Sequence, residues 1–283
     1  DGWTDLSRRI RARIAALPAD DRTPQAMWAA WESADFEKME EIRQRAETVV
    51  DDKETAEKLK AWYRQLCKRP CFHDDYLGAY NEPSTTLVDT NGKGVEEIVE
   101  DGVIVNGEHF QLDCLIYASG FEVGTPHTER TGFDLEGVGG VRLSEHWKDG
   151  MRTLHGTHVH GFPNAFIVQP TQGANLISNV PHNLTESGRT IALVVKHALD
   201  QGHQTVEVSE EAEQAWIDLL LTGPGRMIGS QECTPGYYNN EGQEPGPAAR
   251  LSVGYPQGAT AYFKYLKDWR ESGSFQGLVF DET

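Results

Sequence analysis

The residues best suited to chemistry in this chain fall into a few short clusters. Lys68-Arg69-Pro70 places a guanidinium that stays charged at any working pH next to an ammonium, at a point where helical patterning gives way to short strands. Such a pair suits an oxyanion or a phosphate, and a solvated basic pair is the competing reading. The run Leu112-Asp113-Cys114-Leu115-Ile116-Tyr117-Ala118-Ser119-Gly120-Phe121 reads as a buried parallel strand entering a glycine turn, where small residues let the backbone approach a ligand. His155, His158 and His160 have the look of a zinc cluster. Strand alternation, however, turns His155 away from the other two, so no metal is expected. Cys67 and Cys71 have metal-like spacing but no second pair, and they read as core thiols. Asn183-Leu184-Thr185 matches a glycosylation acceptor by chance.

The elements that must carry these residues follow from periodicity. Leu6, Ile10, Ile14 and Leu17 recur at helical spacing in a first helix, with Thr4 as its cap and Pro18 ending it. Thr23-Pro24 opens a second helix, Ile42, Ala46 and Val49 mark a third, and Thr55 to Leu66 a fourth. A meander follows, over Thr85–Asp89, Val95–Val99, Val103–Val105 and His109–Leu112, punctuated by Asn-Gly and Asp-Gly turns. Ala165–Val168 reads as a strand and Gln169–His182 as a polar loop. Leu184–Leu199 reads as a helix capped by Asn183 with Glu186, and Glu210–Leu221 and Ala259–Trp269 as two more.

Composition limits the functions available. The chain has 283 residues, 38% of them apolar, with 26 basic against 44 acidic residues and a net charge of −18. That field repels phosphate backbones and anionic membranes, so neither nucleic acid nor a membrane is an expected partner. No apolar run approaches the roughly 20 residues needed to span a bilayer. Four scattered cysteines do not make a disulfide scaffold and point to a reducing, cytoplasmic home. The opening Asp1-Gly2-Trp3-Thr4, without an initiator Met, reads as a start inside a longer protein.

Five segments recur in a telling order: Lys68-Arg69-Pro70; the Ala118-Ser119-Gly120-Phe121 strand end; Gly161-Phe162-Pro163-Asn164-Ala165-Phe166; the loop Gly173-Ala174-Asn175-Leu176-Ile177-Ser178-Asn179; and Cys233-Thr234-Pro235-Gly236-Tyr237-Tyr238-Asn239-Asn240-Glu241-Gly242. Together they resemble the C-terminal half of a type I Baeyer–Villiger monooxygenase, closest in look to the large-ring and polycyclic ketone branch. The resemblance implies an α/β fold, the C-terminal portion of a flavoprotein with two Rossmann-like domains for FAD and NADPH. Residues 1–66 would form a helical insertion of the NADPH domain, 67–117 its C-terminal part with the meander, and 118–283 the C-terminal part of the FAD domain. Neither Gly-x-Gly-x-x-Gly turn of the family occurs here, since Asn91-Gly92-Lys93-Gly94 offers only a hairpin turn. The phosphate-binding turns belong to an N-terminal half that is the expected partner, as a separate chain or clipped fragment.

By the same resemblance, the activity is FAD- and NADPH-dependent insertion of one oxygen atom from O2 into a bulky or cyclic ketone, giving an ester or lactone. Arg69 matches the catalytic cation beside the developing oxyanion, and Lys68 a contact to the 2′-phosphate of NADPH. Ser119 and Gly120 belong to the dinucleotide strand end, and Asn179 and Val180 are the positions nearest the flavin pyrimidine. Ala174, Leu176, Ile177 and Tyr237 would contact the ketone. A cofactor-free interaction module descended from such an enzyme, and a related N-hydroxylating flavin monooxygenase, are the alternatives.

Overall fold

The structure, a computed structural model, describes residues 2–68, 70–120, 127–169, 171–174, 179–223, 233–236, 239, 242 and 250–281. Two compact units emerge: residues 1–123 with 232–238, and residues 124–231 with 239–283.

The first unit opens with a helical layer. Helix α1 spans Gly2–Ala16 and packs along α2, Pro24–Val49. Thr23 caps α2, its hydroxyl accepting from the Ala26 amide at 3.2 Å, and Pro24 occupies the first turn where a missing N–H costs nothing. The second and third helices expected from the sequence are therefore one, because nothing between Met27 and Val49 is a glycine or proline. Thr4 lies inside α1 rather than capping it. Leu6, Trp31, Ala34, Met39 and Ala46 are buried in this layer. Around them runs an ionic lattice in which Arg9 meets Asp5, Glu37 and Glu41, Lys38 meets Asp5 and Glu41, and Arg13 meets Glu37.

Helix α3 covers only Lys53–Lys58, capped by Asp52, and stops short of the expected Leu66. Tertiary bonds decide the difference. Arg43 donates to the Ala61 carbonyl at 3.1 Å, and the buried Asp35 carboxylate accepts from the Gln65 amide at 3.0 Å, so the backbone there is spent outside a helix. Strands β1 (Glu97–Val99), β2 (Gly102–Val105) and β3 (Glu108–Gln111) form an antiparallel meander. Asn106 and Gly107, both at positive φ, make the two-residue β2–β3 turn that the sequence signals. Thr85–Asp89 does not join the sheet.

The run after β3 departs from expectation. Residues 112–120 form no strand, and Ile116 and Tyr117 are 83% and 72% exposed. An apolar run of this kind is buried only when flanking strands cover it. Among the described residues no strand pairs with it.

In the second unit, short helices α4 (His127–Thr131) and α5 (Leu143–His146) precede α6, Val180–Gln201. Asn179 caps α6, accepting from the His182 amide at 3.0 Å, with Pro181 in the first turn. The helix thus starts one turn before the expected Asn183 cap, and Asn183 and Glu186 are instead buried on its inner face. Helix α7 spans Glu210–Leu221 as expected, and α8 spans Ala259–Ser272, a turn longer than the sequence indicates. Ala165–Val168 contributes only an isolated bridge, His158 to Phe166. A pairing absent from the sequence reading joins β4 (Val206–Val208) to β5 (Leu278–Phe280), antiparallel. The core gathers Leu154, Ala174, Trp216, Ile217, Leu220, Leu251, Tyr262 and Leu266.

Candidate functional site

In the first unit the site centres on Lys68. Its backbone is extended, its Nζ donates to the Pro235 carbonyl at 2.7 Å, and a Cβ at Gly236 would come within 3.1 Å of that nitrogen. Beside it, Cys67 and Cys233 form a disulfide. The expectation of core thiols is corrected for both residues: Cys67 is bonded to a partner 166 residues away that no local spacing could reveal, and Cys71 is exposed. Arg69 and Tyr237 lie outside the described residues. Ser119 and Gly120 are exposed, and Gly120 has φ +98° with nothing within 4 Å of a notional Cβ, so conformation rather than space demands glycine there.

In the second unit residues 169 and 171–174 are tied down by their own side chains. Gln169 accepts from the Thr171 amide and donates to the Gly156 carbonyl at 3.2 Å. Gln172, fully buried at φ +61°, accepts from Thr153 Oγ1 at 2.6 Å and donates to the carbonyls of Met151 and Leu251. Its own carbonyl accepts from the Trp216 indole at 3.2 Å. Ala174 is 5% exposed and packs with Leu154 and Tyr262 in the apolar core. Asn179 is exposed and spends its side chain on capping α6, with Val180 half-buried beside it. Leu176 and Ile177 lie outside the described residues.

This placement gives Ala174→Phe an expected outcome. Overpacking a filled core costs about 1–3 kcal/mol, so the thermal midpoint should fall. An unchanged or raised midpoint would instead put residue 174 against open space rather than in a filled core.

The histidines behave as core groups. His155 sits at φ +57°, so strand alternation does not hold, and both His155 and His158 are buried. The His155 ring lies edge-on to Trp216, Tyr265 and Trp269, and its Nε2 pairs with the Tyr265 hydroxyl at 3.1 Å. Burial, with His158 adding to it, holds His155 well below the usual imidazole range. Burial alone lowers His158 to about 4. His160 turns instead to the Val208 carbonyl, 2.9 Å away. Among the described residues no group of three His, Cys, Asp or Glu side chains could hold a metal.

A further polar hub escaped the sequence reading. Glu213 on α7 is buried, accepting from the His160 amide at 2.9 Å and Arg152 Nε at 3.3 Å, with His146 Nε2 at 3.2 Å. Burial opposes its charge, yet the His146 and His160 hydrogen bonds keep the carboxyl below the usual range. In sequence it is one acid among several at a helix start, so only its partners distinguish it.

No protein-family model matches the chain. Neopentalenolactone D synthase of Streptomyces avermitilis is 44% identical over 285 residues, covering 100% of this chain and 48% of that protein. Baeyer-Villiger monooxygenase ATR8 of Stachybotrys chlorohalonatus is 38% identical over 282 residues, 99% of this chain and 45% of that one. The chain is homologous to the C-terminal half of Baeyer–Villiger monooxygenases. The solved polycyclic ketone monooxygenase of Thermothelomyces thermophila superposes with a TM-score of 0.82 at 36% identity, over 93% of this chain and 43% of that one. The likeness supports the expected α/β fold of a two-domain flavin-type Baeyer–Villiger monooxygenase. The chain spans about half the length of the curated relatives it matches. Among the described residues no helix is long and apolar enough to cross a membrane.

Proposed function

We propose that this chain forms the C-terminal part of an FAD- and NADPH-dependent Baeyer–Villiger monooxygenase acting on a bulky or cyclic ketone. The observation that carries the reading is similarity along essentially the whole chain to named Baeyer–Villiger enzymes, together with the ordered Lys68-Arg69-Pro70, Ala118-Ser119-Gly120 and Cys233-to-Gly242 segments. Its partner is the N-terminal half of the same enzyme. Its small-molecule reactants are a ketone and O2, and the proposed location is the cytoplasm.

The residues present fit part of the cofactor set. The α6 N-terminus, with the Asn183 side-chain nitrogen Nδ2 buried and unpartnered one turn in, offers positive backbone ends and a donor to a flavin edge. The open, left-handed Gly120 leaves room for a close backbone approach. The glycine turns that would cradle two pyrophosphates are missing from the sequence, so the phosphate ends fit elsewhere. FAD, when bound, carries electrons from NADPH and activates O2. This chain would supply Arg69 as a fixed cation facing the ketone oxygen and Lys68 as a point charge for the 2′-phosphate. Asn179, Val180, Leu176, Ile177 and Tyr237 would frame the flavin and the ketone.

Two experiments test the reading. The isolated chain should retain FAD weakly or not at all, while co-expression with the N-terminal half of a close relative should give a yellow, ketone-oxidising complex. Tight stoichiometric flavin on the isolated chain would refute the division of labour. In the complete enzyme, Lys68→Ala should raise the KM for NADPH far more than that for NADH, because only NADPH carries the 2′-phosphate. Equal changes in the two constants would remove Lys68 from that role.

A further inference from the structure

The run that follows β3 is open both along its backbone and across its side chains. Leu112 makes the last backbone bond, its amide donating to the Asp101 carbonyl at 2.9 Å. From 113 to 120, no backbone N–H or C=O bonds to another group among the described residues. Ile116 and Tyr117, neighbours that a strand turns to opposite faces, are both exposed, as are Cys114 and Leu115. Natural sheets guard an open strand with lysine, proline or another charge. Between Cys114 and Gly120 there is no charged residue and no proline, although 25% of the chain is charged. An unguarded, contiguous apolar surface of this kind marks a contact. A continuous apolar run is also the pattern of a strand covered on both faces.

The lengths of the relatives indicate what covers it. The chain accounts for 48% of neopentalenolactone D synthase and 43% of the solved polycyclic ketone monooxygenase, so over half of each such protein lies outside it. We propose that residues 113–119 are a docking strand for the N-terminal half of the enzyme. The run pairs through its backbone with a sheet that the N-terminal half supplies, and Leu115, Ile116 and Tyr117 are buried in the process. Strand addition draws affinity from main-chain hydrogen bonds and register from alternate side chains. Gly120, in the left-handed region, ends the strand. The proposal rests on the reading above that such a half is the partner, and adds where and how it attaches.

The test is amide exchange and thiol labelling in the complete enzyme. The amides of 115–118 should exchange on the order of a hundredfold more slowly than in an unfolded peptide of the same sequence. Protection of every second amide means a neighbouring strand on one edge, protection of consecutive amides means one on each, and either upholds the docking strand. Cys114 should react with N-ethylmaleimide about tenfold more slowly in the folded enzyme than in urea. Ile116→Lys should recover roughly tenfold less N-terminal half on co-purification, because a charge would be buried in the seam, and Ile116→Val should recover the normal amount. Free-peptide exchange at 115–118, a fully reactive Cys114, or undiminished recovery with Ile116→Lys would each overturn the proposal. Where such an enzyme still holds flavin and oxidises a ketone, the functional reading stands without the docking strand. Protection that vanishes on dilution of the complete enzyme to a single copy would assign the run to a second copy and overturn the proposal as well. Failure of the chain to associate with the N-terminal half would overturn both.

Discussion

Arg69→Ala, in the complete enzyme, should leave reduction of the flavin by NADPH near its normal rate and cut ester formation by 10²–10³. The two halves of the turnover ask different things of the site. The proposed role of Arg69 lies at the ketone oxygen and not in reduction of the flavin by NADPH. Attack on the ketone pushes negative charge onto its oxygen, and the proposed role of Arg69 is to stand there as a cation that cannot be titrated away. Removing one preorganised stabiliser of this kind costs on the order of 10²–10³ in rate, or about 2.7–4 kcal/mol. Arg69→Lys should recover only part of the loss, since an ammonium lacks the planar fork. Rapid-mixing measurement of flavin bleaching, set beside product assays, separates the steps. Product at near wild-type rate from Arg69→Ala would assign the chemistry to another residue.

The second large effect concerns acid. The unfolded chain protonates His158 near the ordinary imidazole value of 6.5, while the buried ring titrates at about 4. Between those values the unfolded state binds more protons. The stability that depends on a neutral His158 is therefore complete above pH 6.5 and declines as pH falls toward 4. At about 1.36 kcal/mol per pKa unit, the loss comes to about 3 kcal/mol. His155, shifted in the same direction, adds to it. Glu213, whose carboxyl is held below its usual range, loses its contribution in the same sense at still lower pH. Denaturant unfolding at pH 7 and pH 5 should show about 2 kcal/mol of this loss, and His158→Gln should flatten it. Equal stability at the two pH values in the wild-type protein would mean that the buried rings are reached by water.

What the sequence made legible was local. Thr23-Pro24, Asn106-Gly107 and the α7 segment each carry their own instructions within a few residues, and each forms where its residues indicate. The family likeness was legible because several short segments fall in one order along the chain. What stayed hidden was set by distant partners. The identity of Glu213 as a hub depends on His146, Arg152 and His160, and Gln172 gains its role from Met151, Thr153 and Leu251. The α3 segment illustrates the competition directly, since Arg43 and Asp35 take backbone groups that a longer helix would have used. The apolar 115–117 run shows the converse, a strand pattern without neighbouring strands to complete it. Of the proposed site residues, Lys68, Ala174, Asn179 and Val180 acquire definite surroundings, and Ala174 turns out to face the core.

The charged lattice between α1 and α2 has a bearing on behaviour in different buffers. Asp5, Arg9, Arg13, Glu37, Lys38 and Glu41 are partly solvated, so each pair is worth little alone and is weakened by mobile ions. The apolar seam beneath them in α1 is thin, with Leu6 its fully buried side chain among those described. Attachment of α1 is therefore the feature of the first unit most sensitive to ionic strength. In concentrated salt α1 should fray from α2 while the Trp31–Met39–Ala46 face of α2 stays packed, so a protease cutting after arginine would nick the 8–13 stretch first.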